Sequence, residues 1–243
     1  MQMARRVDPE WLDELPAHDP RALRSRRDLI RINALMGNAA IVAGELKLGT
    51  DRGQTEVRPR SDPGLTRVLR VAEIGAGDGG FLLRVARALG VREAEANLVD
   101  RKSVVTEATR TEFGKRGWRA RAVEADVFDW LRATPPLDAI VANLFLHHFE
   151  PQRLAEMLAL AAGRTRIFIA CEPRRSAFAL NGARLLGLIG CNDVSRHDAI
   201  VSVRAGFCDG EISALWPAGG AWSLHEGGRG LFSHVFIARR PAS

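Results

Sequence analysis

The chain has 243 residues, of which 46% are apolar and 26% are charged, and its formal net charge is +6. This length and composition are typical of one well-buried globular domain, and they exclude fibrous, disordered and collagen-like proteins. The basic residues are spread along the whole chain, so the net charge alone does not indicate nucleic-acid binding.

The cysteines and the N-terminus restrict the class of protein further. Cys171, Cys191 and Cys208 are widely separated and form no Cys-x-x-Cys pair, which argues against a disulfide framework and a zinc site. No apolar stretch follows the basic N-terminus, so no secretory signal is expected. The apolar runs fall short of the roughly 20 residues of a membrane helix. We therefore expect a cytoplasmic protein with no membrane span.

Residues 1–66 are expected to form an N-terminal helical cap and a linker. A short helix is predicted within residues 8–19, and a longer one from Pro20 to about Met36, where Gly37-Asn38 supplies a stop. The longer helix is rich in arginine, and we favour a solvated helix face over an anion-binding face. Residues 49–65 are polar and rich in turn formers, which predicts a linker or mobile loop.

Strands and helices alternate beyond residue 66. The predicted strands span residues 67–74, 95–100, 119–124, 139–143 and 166–171, and the predicted helices span residues 79–89, 103–117, 151–162, 176–189 and 196–206. Two final strands, 222–226 and 231–239, are expected to be joined by the glycine-rich segment 227–230. This order predicts an α/β fold with a doubly wound, mostly parallel sheet and an antiparallel hairpin at the C-terminus.

Residues 71–81 are the most informative stretch, because an apolar strand leads into glycines 75, 77, 79 and 80 before a helix. The spacing fits the dinucleotide fingerprint, and Asp100 lies 20 residues beyond the last glycine, where a ribose-binding acid is expected. Glu73 and Asp78 would repel a pyrophosphate but attract the sulfonium and ammonium of S-adenosylmethionine. The loop therefore favours a methyl donor, with an NAD(P)-binding oxidoreductase as an alternative.

The stretch resembles the first motif of the class I S-adenosylmethionine-dependent methyltransferases, a Rossmann-like family, in which an acid precedes Gly-x-Gly-x-Gly. Three further motifs of that family have counterparts in the expected order: Asn97-Leu-Val-Asp100, Glu124-Ala-Asp126-Val-Phe, and the segment from Asp138 to Phe149. The resemblance covers roughly residues 67–175. It implies a methyltransferase domain over residues 67–243 with a seven-stranded sheet and a variable substrate-side region at about 176–230.

The resemblance also implies cofactor contacts for S-adenosyl-L-methionine and its product S-adenosyl-L-homocysteine. Glu73 would neutralise the methionyl ammonium, and Asp100 would accept hydrogen bonds from both ribose hydroxyls. The remaining implied contacts, from the loop backbone, around the adenine and after the fourth strand, are Gly75, Gly77, Gly79, Arg101, Asp126, Val127, Asn143 and Leu144. N-terminal helices of the family commonly cover the pocket, so Asn33 and Asn38 could reach the ligand, although capping and packing are the favoured interpretation.

Methyl transfer to a hydroxyl needs a base, and histidine is suited to a phenol-like acceptor. His147 and His148 follow the fourth strand, on the side where the family places its acceptor. His197, beside Asp198, is a third candidate, although neighbouring helix residues point apart. For each histidine a structural role is an equally acceptable interpretation.

The loop after the fourth strand reads Asn143-Leu-Phe-Leu, which lacks the Asn/Asp-Pro-Pro-aromatic motif of enzymes that methylate adenine or glutamine. We expect a small, apolar or aromatic acceptor methylated at oxygen, with an RNA or protein methyltransferase as the alternative. Nucleic acid is not the expected partner, because no concentrated basic or aromatic stripe is evident. Glu172 and Asn192-Asp193 do not make an evident metal site, so no metal is expected. The oligomeric state is left open.

Overall fold

The computed structural model describes residues 3–16, 18–51 and 68–241. Its centre is a seven-stranded sheet in the order β3-β2-β1-β4-β5-β7-β6. The strands are β1 (Leu69–Ile74), β2 (Ala94–Asp100), β3 (Trp118–Glu124), β4 (Leu137–Asn143), β5 (Thr165–Pro173), β6 (Ser223–Arg229) and β7 (Ser233–Arg239). The first five strands are parallel, and β7 pairs antiparallel with β5 and with β6. The predicted fold class is therefore confirmed.

Helices connect the strands and precede them. They are α1 (Trp11–Glu14), α2 (Pro20–Met36), α3 (Asn38–Asp51), α4 (Gly80–Leu89), α5 (Glu107–Gly114), α6 (Val127–Ala133), α7 (Pro151–Ala162), α8 (Ala177–Leu185), α9 (Asp193–Ala205) and α10 (Glu211–Leu215), with 3-10 helices at Leu146–His148 and Leu186–Ile189. The parallel strands end at one edge of the sheet, and in open α/β sheets ligands bind at that edge.

Of the first three helices, α3 contacts β5 and packs on α4, whereas α1 and α2 pack on α9. Gly37 adopts a left-handed conformation with φ 69° and ends α2 as predicted, but the chain immediately begins α3, which was not predicted. Val42, Ala43 and Leu46 of α3 are buried in the same cluster as α4, so tertiary packing sustains a helix with few sequence signals. Most of the predicted linker, and the proposed boundary between residues 66 and 67, lies outside the described residues.

Further elements differ from the sequence prediction, among them the short helix α10, which was not predicted. Helix α6 was not predicted, although Asp126 caps it by accepting a hydrogen bond from the Phe128 N–H. Gly227 and Gly228 are part of edge strand β6, and not of the turn, which contains Gly230 at φ 63°. The guanidinium of Arg174 occupies the space that a side chain at residue 228 would need. This close approach explains why a glycine lies within the strand.

Apolar side chains fill both faces of the sheet. On one face, α3, α4 and α5 cover a cluster that includes Leu82, Phe113 and Trp118. On the other, α6, α7 and α10 cover a cluster that includes Leu131 and Phe168. Burying each large side chain contributes roughly 1.5–3 kcal/mol, so packing on both faces stabilises the sheet.

Among the described residues, no single helix has the length and apolarity needed to cross a bilayer. The pair Pro20–Met36 and Asn38–Leu48 meets those two criteria only when taken together, and it is bent by 54°.

Candidate functional site

The glycine loop after β1 is tightly folded against the sheet edge. Gly75, Gly77 and Gly79 have φ angles of 70°, 52° and 73°, a region that residues with a Cβ avoid. Phe145 lies directly on Gly75, since a Cβ placed there would be 2.3 Å from the Phe145 ring. A Cβ on Gly77 would meet no atom within 4 Å. The loop is thus closed over Gly75 and open at Gly77, where a ligand can approach the backbone.

We expect Gly75→Ala to destabilise the free protein more than Gly77→Ala. Both substitutions impose an unfavourable positive φ at a cost of roughly 1 kcal/mol, but only the first also collides with Phe145, adding roughly 1–3 kcal/mol. Urea denaturation measures the difference, and equal losses of stability would contradict the packing of Phe145 on Gly75. Gly77→Ala should mainly weaken cofactor affinity, which titration with S-adenosylhomocysteine measures.

Glu73 is the penultimate residue of β1 and is a buried acid, 1% exposed. Its carboxylate accepts a hydrogen bond from the Leu82 N–H at 3.2 Å, within the first turn of α4. Burial raises the pKa of Glu73 well above its usual range, and the neighbouring acids Asp78 and Asp100 act in the same direction. A cation near this carboxylate would reverse that effect. The site therefore favours a positively charged group beside the loop.

Asp100 ends β2 next to the glycine loop. Its Oδ2 atom accepts a hydrogen bond from the Gly77 N–H at 2.8 Å, and its Oδ1 atom accepts one from the Lys102 N–H at 2.9 Å. An ionised carboxylate has about four lone-pair positions, so each oxygen retains capacity for another donor. The side chain is partly exposed, and Arg101 beside it is exposed. Asp100 can hold two neighbouring hydroxyl groups.

Asp126 and Val127 follow β3 at the same edge. The Asp126 side chain caps α6 through the Phe128 N–H at 2.8 Å, and Val127 is buried. Asp129, the next acid along α6, is exposed and pairs with Arg132 at 2.9 Å, so it faces solvent. The predicted contact with adenine stays a prediction.

A buried chain of amides connects the N-terminal helices to the end of β4. Asn143 donates from Nδ2 to Asn33 Oδ1 at 3.0 Å and accepts at Oδ1 from Asn38 Nδ2 at 2.8 Å. Ser233 in turn donates to Asn38 Oδ1 at 2.6 Å. Buried polar groups must be paired. These hydrogen bonds give Asn33 and Asn38 the packing role that the sequence analysis favoured. Leu144 follows at φ 52°, a strained conformation of the kind found at functional sites.

The loop after β4 is organised by Glu172, which is fully buried at the end of β5. Its Oε1 atom accepts hydrogen bonds from the Phe145 and Leu146 N–H groups at 3.0 and 2.9 Å. Its Oε2 atom pairs with His147 Nδ1 at 2.7 Å. One carboxylate thus fixes three consecutive residues of the loop.

His147 lies between two acids. Its Nε2 atom is 3.3 Å from Oε1 of Glu10, which precedes α1 and also accepts a hydrogen bond from Ser202 of α9. Burial disfavours the charged imidazole, but the hydrogen bonds to Glu10 and Glu172 outweigh it and raise the pKa of His147 to about 9. Burial likewise opposes ionisation of Glu10, yet the hydrogen bond from His147 dominates and lowers the pKa of Glu10 to about 2. His147 is therefore a structural cation at neutral pH.

This ion triad predicts a defined pH dependence of stability. The His147 contribution is complete below its usual pKa of 6.5 and is lost as the pH rises through about 9. The Glu10 contribution is complete above its usual pKa of 4.5 and is lost as the pH falls through about 2. We expect Glu10→Gln to cost about 3 kcal/mol near pH 5.5 and much less near pH 9.5. Urea denaturation at the two pH values checks this, and a pH-independent cost would contradict the charged triad.

The other two candidate histidines occupy different environments. His148 stacks against His147 with 4.3 Å between ring centroids and lies 6.4 Å from the Phe145 ring. Burial and the charge on His147 lower the pKa of His148 below 6.5. His197 stacks flat on Trp11 at 3.8 Å, and its Nδ1 atom contacts Asp198 Oδ1 at 2.9 Å. His148 is thus brought close to the glycine loop, whereas the ring of His197 is packed against α1.

The structure brings together donors that sequence reasoning did not combine. Glu10, His147 and His148 place one possible metal-ligand atom each within 4.8 Å of one another. Both ring nitrogens of His147 already face carboxylates. A proton on His147 therefore neutralises this cluster without a metal ion. Glu10 was missed because nothing in a short N-terminal segment signals a contact with a residue 137 positions away. Glu172 was weighed only as a metal ligand, although its position after β5 was a signal for the site.

Residues 71–166 match a family model described as "Methyltransferase domain". No curated protein sequence matches the chain.

Solved structures share the fold at low sequence identity. The chain is similar to an O-methyltransferase family protein from Burkholderia thailandensis, with a TM-score of 0.57 and 19% identity over 93% of this chain and 62% of that protein. It therefore spans less than two thirds of that protein's length. It is also similar to the plantazolicin methyltransferase BamL, solved with a triazolic desmethyl analogue and SAH, with a TM-score of 0.66 and 12% identity over 93% and 92%.

A third similar structure is the mitomycin 7-O-methyltransferase MmcR, with a TM-score of 0.54 and 18% identity over 95% of this chain and 60% of that one. The matching segment begins in β1 and ends in β5, and it contains the glycine loop and the acids that end the first strands. Together with the sheet order, this match shows that residues 71–166 form a methyltransferase domain of the Rossmann-like, S-adenosylmethionine-dependent class.

Proposed function

We propose that this protein transfers a methyl group from S-adenosylmethionine to the oxygen of a small, apolar or aromatic acceptor. One observation supports the choice of cofactor. Glu73 is a buried acid that a nearby cation would stabilise, and it lies beside a glycine loop that is open at Gly77. The cofactor supplies a methyl group already activated by a sulfonium. The protein then needs to provide alignment and, for a hydroxyl, removal of a proton.

The residues around the loop fit this cofactor. Glu73 would balance the methionyl ammonium, and Asp100 would hold the ribose with the lone pairs that its two backbone donors leave free. Asp126 and Val127 would border the adenine, with Arg101 along its edge. Gly77 would allow close backbone approach. Asn143 and Leu144 would border the reacting end, where the amide chain from Asn33 and Asn38 fixes their position.

An aromatic cluster supports an apolar acceptor. Phe145 and Phe149 meet edge to face at 5.1 Å, and Phe128 packs against Phe149 at 5.8 Å. Rings in such an arrangement offer both flat faces and edges to an aromatic guest. Phe145 also contacts Gly75, so this surface adjoins the loop that would carry the methyl donor.

Calorimetric titration with S-adenosylhomocysteine, followed by transfer of a labelled methyl group to phenols, tests the proposal. We expect S-adenosylhomocysteine to bind with a micromolar Kd. At least one phenol should be methylated, at a rate that does not depend on salt concentration. Strongly salt-sensitive turnover on RNA or on a basic protein would favour the alternative class of acceptor. Binding without turnover on any acceptor would indicate a cofactor-binding protein that lacks catalysis.

Among the candidate histidines, we expect His148 to act as the base. His147 holds its proton at neutral pH, whereas His148 is neutral and close to Phe145. His148→Gln should lower kcat by about 100-fold or more and remove the acidic limb of the pH–rate profile. His225→Gln, in the exposed edge strand, is the matched control. An unchanged rate for His148→Gln combined with a loss for His197→Gln would reassign the base.

A further inference from the structure

We propose that the end of α8 and the 3-10 helix that follows it form a docking surface for an anionic lipid bilayer. Leu185, Leu188 and Ile189 are 58%, 83% and 53% exposed, and we call these three residues the apolar tip. From the sequence, this segment is expected to lie in the variable substrate-side region at about residues 176–230. Large apolar side chains so exposed and so close together mark an interaction surface.

The tip continues a stripe along one helix face. Phe178 and Leu185 are separated by seven positions on α8, a spacing that aligns side chains on one side of a helix, and Leu188 follows in the 3-10 helix. Phe178 is 57% exposed. The opposite face of α8 is anchored, since Ala179 and Ala183 are buried in a small cluster with α9. The helix therefore presents its apolar side outward from a fixed base.

Arginines surround the apolar tip. Arg24 of α2 donates from Nη2 to the Gly190 carbonyl at 3.0 Å, directly after the tip. Arg196 of α9 packs on Gly187, where a Cβ would lie 3.2 Å from its Nε atom. Arg184 is exposed and lies on α8 beside Leu185. The exposed acid Asp193 stands near this rim, so the three arginines leave the surface clearly positive.

An apolar centre with a basic rim is complementary to an anionic bilayer. Leucine and isoleucine side chains insert at the boundary between headgroups and acyl chains, while arginines contact lipid phosphates. A second copy of this chain, placed symmetrically on the tip, would bring the same arginines together and be repelled. The charge pattern thus favours lipid over self-association.

This surface also lies along a helix that leads to the site. Arg24 and Asn33 are nine positions apart on α2, a separation of roughly 14 Å. Docking itself does not depend on the proposed chemistry. If the acceptor is a membrane-dissolved phenol, which rests on the proposed function, docking would place the site close to it.

Flotation of the purified protein with vesicles tests the docking surface without any methyl transfer. We expect the protein to float with phosphatidylglycerol-containing vesicles at low salt and not with pure phosphatidylcholine. Leu188→Glu should reduce the partition coefficient at least about tenfold. The double variant Arg184→Gln/Arg196→Gln should reduce it about 25-fold, at about fivefold for each arginine. Affinity for S-adenosylhomocysteine reports that both variants are folded.

Matched controls are Leu48→Glu and Arg119→Gln, which change exposed residues of the same kinds away from the tip. Both should float as the unmodified protein does. Absence of flotation, or flotation that Leu188→Glu leaves unchanged, would overturn the proposal. Sedimentation of a dimer that Leu188→Glu converts to a monomer, without vesicle binding, would instead assign the tip to a second copy of the chain.

Discussion

Glu172→Gln is expected to destabilise the protein by roughly 3–5 kcal/mol and to abolish methyl transfer. The reason for the loss of stability is that the substitution leaves the buried His147 cation with one of its two acidic partners, and breaking a buried pair has a cost of this size. The reason for the loss of activity is that the same carboxylate holds the Phe145 and Leu146 N–H groups. Thermal denaturation should show a decrease in Tm on the order of 10 °C.

Glu226→Gln provides a matched control for this experiment. Glu226 is also buried, pairs with the buried His234 at 2.8 Å, and accepts hydrogen bonds from the Ile212 and Ser213 N–H groups. It lies on β6, away from the loop after β4. We expect a comparable loss of stability but retained activity below the new Tm. Equal loss of activity in both variants would show that Glu172 acts through global stability alone.

The strands and the cofactor loop could be predicted because their signals are local. Apolar runs bounded by turn residues gave β1 to β5 to within a few residues, and the glycines that need positive φ are adjacent in the chain. Helix α3 was missed because its stability comes from packing on α4. In the C-terminal hairpin, Gly227 and Gly228 indicated a turn. They are instead part of β6, where the Arg174 side chain packs on Gly228.

The acceptor side could be predicted only in part. His147 and His148 were placed after β4 correctly. The two histidines are neighbours in the chain, but they differ in protonation because acids far away in the chain contact His147. Glu10 and Glu172 come from the N-terminal segment and from β5, and no spacing rule connects them to His147. The electrostatic environment of a residue is a property of the tertiary structure, and it is the reason why we expect His148, and not His147, to act as the base.

Asp100→Asn is expected to weaken S-adenosylhomocysteine binding by about 3 kcal/mol, or about two orders of magnitude in Kd. An amide has only one acceptor oxygen, so it cannot receive two ribose hydroxyls in addition to the Gly77 and Lys102 N–H groups. Asp129→Asn, which changes an exposed acid of α6, should leave Kd unchanged. Calorimetric titration measures both.

A second ligand separates the roles of the two acids. Methylthioadenosine retains the adenosine part of the cofactor but lacks the amino-acid part. Because Asp100 would hold the ribose, Asp100→Asn should weaken methylthioadenosine and S-adenosylhomocysteine equally. Because Glu73 would balance the ammonium, Glu73→Gln should weaken S-adenosylhomocysteine alone. Should Asp100→Asn spare methylthioadenosine, the ribose would not lie at the end of β2. Equal losses for both ligands in Glu73→Gln would instead mean that this buried acid acts by supporting the glycine loop through Leu82.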